Sequence, residues 1–102
     1  EGASLSYLGN AYASLGEHQR AIDFYLQALA IARELGDRGE EARVSWSLGE
    51  ALEELGDLRG AVEAMQLRVD YERETEDPEA EAHAARVAEL RRRIEEDDTR
   101  PA

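Results

Sequence analysis

The side chains best suited to chemistry in this sequence are two histidines and many carboxylates. His18 and His83 lie on different predicted elements, and neither belongs to a metal-ligand pattern. The carboxylates are not paired with histidine, serine or lysine in an arrangement typical of acid–base or nucleophilic catalysis. Cysteine is absent, which excludes disulfides and thiolate sites. We therefore expect surface histidines, no metal, no cofactor and no enzymatic activity.

The charge of the chain limits the partners that it can bind. With 24 acidic and 12 basic residues, the formal net charge is −12 over 102 residues. Such a field repels nucleic-acid phosphates and anionic membranes, although an acidic surface also serves simply to keep a helical protein soluble. No apolar run approaches the ~18 residues that span a bilayer. We expect a soluble, cytoplasmic protein that binds neither nucleic acid nor membrane.

Three consecutive arginines, residues 91–93, stand in the segment ELRRRIEE. One interpretation is a contact for an anion or an acidic peptide. The other is a solvated helix in which these arginines form ion pairs with Glu89, Glu95 and Glu96, three or four residues away. We favour the second interpretation.

The elements that position these side chains follow from an internal repeat. Shifting the chain by 40 residues superimposes a set of identical residues. The identical pairs are Leu8 and Leu48, Gly9 and Gly49, Ala11 and Ala51, Leu15 and Leu55, Gly16 and Gly56, Ala21 and Ala61, and Asp37 and Asp77. The composition, rich in Leu, Ala, Glu and Arg and poor in β-branched residues, favours helices throughout.

Each repeat divides into two helices. Apolar residues recur at helical spacing before Gly16 and Gly56, where glycine ends a helix in the left-handed conformation at low cost. The first helices carry Leu5, Leu8, Tyr12 and Leu15 in one repeat and Leu48, Leu52 and Leu55 in the other. The second helices are predicted at about 18–35 and 58–75, and a fifth helix at about 78–96.

Polar residues mark the expected helix starts. Asp37, with Glu40 three residues later, predicts a capping box at the start of the third helix. Asp57 is placed to cap the fourth helix. Asp77 is placed to cap the fifth, with Pro78 at its first helical position.

The fifth helix lacks a feature of the other two first helices. Arg91 falls where Gly9 and Gly49 stand in the repeats, if two extra residues are allowed in the loop. Those glycines let a following helix approach closely, and an arginine in their place indicates that none follows. Its outer side is also polar, which is typical of a helix that caps a stack.

The repeat residues resemble the tetratricopeptide repeat (TPR) family. They are Leu5, Leu8, Gly9, Tyr12, Gly16, Ala21, Tyr25 and Ala28, then Ser45, Leu48, Gly49, Leu52, Gly56, Ala61, Met65 and Arg68. Ser45 departs from the family pattern in replacing a large apolar residue, and Arg68 in replacing a small one. The 40-residue spacing is similar to the longer repeats of spindle-orientation adaptors, kinesin light chains and bacterial regulatory sensors.

The resemblance implies an all-α fold, an α-solenoid of two helix-turn-helix repeats and a C-terminal capping helix, stacked as a right-handed superhelix. The corresponding ranges are 1–40 and 41–77 for the repeats, 78–97 for the capping helix and 98–102 for a disordered tail. The resemblance also implies a concave groove lined by the first helix of each repeat, which holds a peptide or a partner helix. The implied groove residues are Ser6, Asn10, Ala13, Arg43, Trp46, Glu50, Glu53 and Arg92, with Ala88 and Glu95 beside them.

Two of the groove residues carry specific hypotheses. In the family, an asparagine directly after Leu-Gly often bonds the ligand backbone, which makes Asn10 a candidate contact; the alternative is a solvated polar residue. Trp46 could anchor a basic or amphipathic peptide beside Glu50 and Glu53. Alternatively, Trp46 packs on the neighbouring helix, including Ala88, as part of the core.

The function expected from this resemblance is protein–protein interaction, as the C-terminal part of a longer TPR array that begins before Glu1. A second hypothesis is self-association through an uncovered N-terminal face with Leu5, Tyr12, Phe24 and Tyr25, giving a homo-oligomer. A third is the sensor array of a bacterial signalling ATPase or transcription regulator. The expected partner is a protein or peptide whose identity the sequence leaves open.

Overall fold

Five helices make up the fold of this chain. A computed structural model describes residues 2–101, with side chains from Ser4 onward. The helices are α1 (Gly2–Ser14), α2 (His18–Leu35), α3 (Arg38–Glu54), α4 (Leu58–Glu74) and α5 (Ala80–Thr99). Helices adjacent in sequence pack against each other, as in an α-solenoid. The predicted all-α repeat architecture is therefore confirmed.

The two glycines within the first helices are sites of close helix packing. A Cβ atom added to Gly9 would lie 2.6 Å from Cε1 of Tyr25, and one added to Gly49 would lie 2.5 Å from Cγ of Met65. Each glycine thus lets the second helix of its repeat approach the first. Arg91, at the corresponding position of α5, is exposed. The predicted role of these two glycines, the close approach of the following helix, is confirmed.

The helix ends agree with most of the predicted caps. Asp37 and Asp57 each accept a hydrogen bond through Oδ1 from the backbone three residues later, at 3.1 and 2.9 Å. The turn glycines Gly16 and Gly56 have φ of +81° and +87°. The reciprocal half of the capping box is wrong: the N–H of Asp37 donates instead to the carbonyl of Ala32 at 2.9 Å. That N–H closes the end of α2, so it is not available to the Glu40 side chain, which pairs with an arginine.

The last helix begins two residues later and ends three residues later than predicted. Pro78 and Glu79 form a turn before it, and the backbone N–H of Glu79 donates to Oδ1 of Asp77 at 2.9 Å. At its other end, α5 continues to Thr99, whose Oγ1 donates to the carbonyl of Glu95 at 3.0 Å. Glu1 and Ala102, which the predicted first repeat and tail include, lie outside the described residues. The division of the chain into repeats stays a prediction.

The core consists of two apolar clusters, each formed where helices of successive units of the stack meet. The first joins α2 to α3 and has α1 packed against it, and the second joins α4 to α5. Their buried members are Ala21, Ile22, Tyr25, Ala28, Leu29, Val44, Leu48 and Ala51, then Ala61, Val62, Met65, Val69, Val87 and Leu90. A continuous core of this kind is built by stacking, because one helix pair cannot bury its own apolar face.

Equivalent residues of the two repeats differ in exposure at the N-terminal face of the stack. Leu8 of α1 is 45% exposed, whereas its repeat equivalent Leu48 of α3 is 8% exposed. The difference arises because α2 covers α3, while no described helix covers the same face of α1. Tyr25, assigned to this open face from the sequence, does not belong to it, because it is 2% exposed beneath α1.

Candidate protein-binding groove

A small cleft lies where four of the five helices meet. It has a volume of about 200 Å³, which we call the α1–α3 cleft. Its lining residues are Ala13, His18, Tyr25, Ser47, Glu50, Ala51, Glu53, Glu54 and Arg86. Three of the eight predicted groove residues, Ala13, Glu50 and Glu53, therefore come together here. Ligand pockets for drug-sized molecules measure roughly 300–1,000 Å³, so this cleft has the size for a single side chain.

A buried tyrosine that lines this cleft holds the side chain of Asn10 through a hydrogen bond. The Tyr25 hydroxyl donates a hydrogen bond to Oδ1 of Asn10 at 2.6 Å, from α2 to α1. Burial raises the pKa of the Tyr25 hydroxyl, the nearby Glu50 carboxylate raises it further, and a hydrogen bond with Ser47 partly offsets both. The hydroxyl is therefore protonated and able to donate at neutral pH. Asn10 itself is exposed, and its amide nitrogen has no hydrogen-bond partner among the described residues.

The carboxylates of the cleft fall into two groups. Glu53 is mostly buried and accepts from two arginines of α5, Nη2 of Arg86 at 2.5 Å and Nη1 of Arg93 at 3.2 Å. These bonds join α3 to the last helix. Glu50 and Glu54 are exposed, and neither forms an ion pair with a side chain that the structure describes.

Trp46 occupies a different position from the cleft. Its half-buried ring packs against the apolar cluster of α4 and α5. The His83 ring lies 4.5 Å from it, centroid to centroid, at 55°, and the Arg68 guanidinium carbon lies 5.8 Å from its centroid. A cation over an indole ring is a favourable electrostatic contact. The Trp46 ring is thus in contact with His83, Arg68 and the apolar cluster of its own chain, which leaves it half-exposed.

A buried charge network, absent from the predictions, lies beside Trp46. Glu72 is 3% exposed and accepts from Nε of Arg68 at 3.2 Å, and its second oxygen lies 2.8 Å from Nδ1 of His83. The expectation of a surface position is wrong for His83, whose side chain is 18% exposed. The sequence signal was Arg68, an arginine in place of a small residue of the repeat pattern. Arg68 takes the place of a small residue here because it pairs with Glu72.

The remaining predicted groove residues lie outside the α1–α3 cleft. Ser6 is buried at 6% exposure and offers little surface to a partner. Arg43 pairs with Glu40 on its own helix. Arg92 is exposed on α5, as are Ala88 and Glu95, and none of the three lines the cleft.

The arginine run of α5 does not pair as predicted. Nη2 of Arg91 donates to Gln66 of α4 at 3.3 Å, and Arg93 reaches Glu53 of α3. In the described part of the chain, none of residues 91–93 forms an ion pair with Glu89, Glu95 or Glu96. The expected pairing within α5 is therefore wrong, because these side chains turn toward the helices on which α5 packs.

Two other kinds of site are absent from the part of the chain that the structure describes. No group of three or more histidine and acidic side chains in residues 2–101 is arranged to hold a metal ion. None of the described helices has the length and apolar character that crossing a membrane requires.

The stacked helix pairs, the close-packed glycines and the cleft between first helices define a helical-repeat protein of the α-solenoid class. Within that class, residues 1–71 match the family model described as tetratricopeptide repeat. The chain belongs to the tetratricopeptide repeat family.

Similarity to individual proteins is confined to a short segment. The chain is 48% identical to G-protein-signaling modulator 1 of Homo sapiens over 54 residues, which are 53% of this chain and 8% of that protein. It is 48% identical to the Mus musculus and Rattus norvegicus proteins of the same name over 46 residues, which are 45% of this chain and 7% of each. The chain therefore spans a small part of the length of these relatives.

Proposed function

We propose that this chain is a protein-interaction module that binds an extended peptide or a partner helix along the side of the stack formed by α1, α3 and α5. The observation that carries the proposal is the α1–α3 cleft with Asn10 at its edge. Tyr25 holds the Asn10 oxygen, so the Asn10 amide nitrogen is presented as a donor in a fixed orientation. A preoriented donor binds a backbone carbonyl at a smaller entropic cost than a mobile one.

The cleft is suited to recognition rather than to catalysis. Repeats of this family are protein-interaction units, and the cleft contains no nucleophile paired with a base among its lining residues. The relatives are named as modulators of G-protein signalling, which favours a signalling protein as the source of the bound segment.

The apolar face of α1 supports a position at the C-terminal end of a longer array. Leu8 and Ala11 are exposed there, whereas Leu48 and Ala51, one repeat later, are buried against α2. A helix equivalent to α2 from another repeat would fit this face, because the repeat geometry of α2 and α3 supplies the template. The polar outer side of α5 suits the opposite, terminal end of the stack.

Binding in the groove is tested with peptides selected from a random display library on the immobilised chain. Their affinities are measured by calorimetry for the wild type, for Asn10→Ala and for the control Gln27→Ala. Gln27 is exposed on α2 and bonds only to the carbonyl of Asp23 in its own helix, at 3.3 Å. We expect Asn10→Ala to weaken binding by about three- to tenfold, the value of one lost hydrogen bond, and Gln27→Ala to leave it unchanged. Equal affinities for all three proteins would reject the groove.

Self-association through the face of α1 is a second candidate, favoured by the exposed apolar side chains Tyr7, Leu8 and Leu15. An apolar patch of this kind is typical of an interface. Sedimentation equilibrium over a wide concentration range separates the two ideas, with Leu8→Glu as the disruptive variant and Leu35→Glu, exposed at the end of α2, as the control. A monomer at every concentration would remove this candidate.

A further inference from the structure

The α1–α3 cleft has an uncompensated negative charge. Of its three carboxylates, Glu53 is neutralised by Arg86 and Arg93, whereas Glu50 and Glu54 stand at the cleft without a cation from the described part of the chain. These two residues are one helical turn apart on α3, so both side chains lie on the same face. A cationic group between them would gain two charge-assisted hydrogen bonds.

A second, independent feature of the cleft is a buried ring nitrogen without a hydrogen-bond partner. Nδ1 of His18 is buried, and no described atom forms a hydrogen bond with it. His18 lines the cleft from α2, opposite Glu50 on α3. In the tautomer that carries its proton on Nε2, this nitrogen accepts an N–H. Because buried polar atoms are nearly always satisfied, an orphaned acceptor beside a cleft indicates a donor that arrives from outside.

The shape of the cleft agrees with one long side chain. Its apolar walls include Ala13 and Ala51, which suit a methylene stem, while the carboxylates of Glu50 and Glu54 suit the charged head. Arginine offers five donors in a planar fork, whereas lysine offers a compact point charge.

The geometry points to the α1–α3 cleft as the receptor for an arginine side chain of the bound segment, so that the partner is a basic peptide. The guanidinium donates to Glu50 and Glu54 and its stem lies on the two alanines, with His18 Nδ1 as a further acceptor. This inference rests on the proposed groove function and names the chemistry of the segment that occupies it. It also explains why Glu50 and Glu54 have no arginine from α5, unlike Glu53.

The direct test uses two small probes that differ in charge and have nearly the same shape, N-acetyl-arginine amide and N-acetyl-citrulline amide. Each is titrated into the isotope-labelled chain while the backbone amide signals are followed by NMR. We expect the arginine probe to shift the signals of His18, Ser47 and Glu50 and to bind at least about threefold more tightly than the citrulline probe. The double substitution Glu50→Gln with Glu54→Gln removes this preference.

A matched control keeps the test specific. Glu63→Gln changes an exposed carboxylate of α4, which is not among the cleft's lining residues, and removes one negative charge, half the change in the double variant. It retains the preference for the arginine probe. Glu50 and Glu54 are exposed, so their glutamine variants keep the fold, which circular dichroism verifies.

The outcomes separate this inference from the proposed function. Equal binding of the two probes, or shifts located away from the cleft, would overturn the arginine assignment. If the display-selected peptides nevertheless lose affinity in Asn10→Ala, the groove stands and its basic ligand alone is rejected. If neither the probes nor the selected peptides depend on these residues, both proposals fail.

Discussion

The hydroxyl of buried Tyr25 donates a hydrogen bond to the side-chain oxygen of Asn10 across 2.6 Å. The side chain of Tyr25 thus extends from α2 to α1, where it orients the exposed side chain of Asn10. The same contact depends on Gly9, because any larger residue there would meet the Tyr25 ring. The structural glycine and the candidate binding residue, adjacent in sequence, are therefore coupled through one aromatic side chain.

The first prediction concerns this hydrogen bond and its dependence on pH. Tyr25→Phe should lower the free energy of unfolding by about 1 kcal/mol at neutral pH, as expected for one lost hydrogen bond. The raised pKa of Tyr25 in the folded protein means that its stabilising contribution is present below the unfolded pKa of about 10 and is lost as the pH rises toward the folded value. The difference between wild type and variant should therefore shrink above about pH 10.

Urea unfolding at a series of alkaline pH values measures this difference. Tyr7→Phe is the control, since Tyr7 is exposed and should change neither the stability nor its pH profile. A wild type and a Tyr25→Phe variant that lose stability in parallel above pH 10 would contradict the role given to the hydroxyl.

The second prediction concerns the buried carboxylate of Glu72. Glu72→Gln removes the charge that Arg68 and His83 share in the interface of α4 with α5, and we expect a loss of about 2–4 kcal/mol. Glu63→Gln, on an exposed face of the same helix, should change stability by less than about 0.5 kcal/mol. Thermal unfolding followed by Trp46 fluorescence reports this interface directly, because the indole packs on the His83 ring. Similar stabilities for the two variants would refute a structural role for the network.

The third prediction uses the repeat to match a variant with its control. Gly9→Ala places a methyl group within 2.6 Å of a Tyr25 ring carbon, so it should lower the free energy of unfolding by about 1–3 kcal/mol despite the better helix propensity of alanine. Arg91→Ala changes the corresponding position of α5, where the side chain is exposed, and should be neutral within about 0.5 kcal/mol. Chemical denaturation distinguishes them. A stabilised Gly9→Ala protein would contradict close packing at this glycine.

The fourth prediction concerns the turn after α4. Glu76 has φ of +56°, one repeat after Gly36 at +69°, and is the sole non-glycine residue with positive φ in the described chain. Because a side chain disfavours this conformation, Glu76→Gly should raise the free energy of unfolding by about 0.5–1 kcal/mol. Glu63→Gly, inside α4, should lower it by about 1 kcal/mol. If Glu76→Gly also destabilises the protein, the positive φ of Glu76 does not lower the stability of the folded chain.

The sequence predicted the helices well because their determinants are local and repeated. Each determinant acts within a few residues along the chain: the spacing of apolar residues, the turn glycines and the capping aspartates. Because the sequence repeats after 40 residues, each of these signals occurs twice. Gly9 and Gly49 were interpretable for the same reason. Even here, the Glu40 half of the capping box failed, because the end of α2 had already taken the N–H of Asp37.

The candidate site was less predictable because it depends on the rotation of one helix against another. Arg93 and Glu53 are 40 residues apart, and Arg86 and Glu53 are 33 residues apart. A pattern of neighbouring residues therefore does not predict either ion pair. The contact of His83 with Glu72 was likewise not predictable from local spacing, because the two residues lie on different helices. The departure of Arg68 from the repeat pattern was visible in the sequence, and its partner Glu72 is only four residues away on α4. The burial of that pair and its contact with His83 depend on which face of α4 meets α5.

The central claim is that a partner segment lies on the α1, α3 and α5 side of the stack. The most direct measurement is an NMR titration of the labelled chain with the tightest display-selected peptide. We expect the largest amide shifts at Ala13, Ser47 and Glu50, which line the α1–α3 cleft, and at Asn10, which is bonded to the lining residue Tyr25. Shifts confined to the outer surfaces of α2 and α4, with those four signals unchanged, would contradict it.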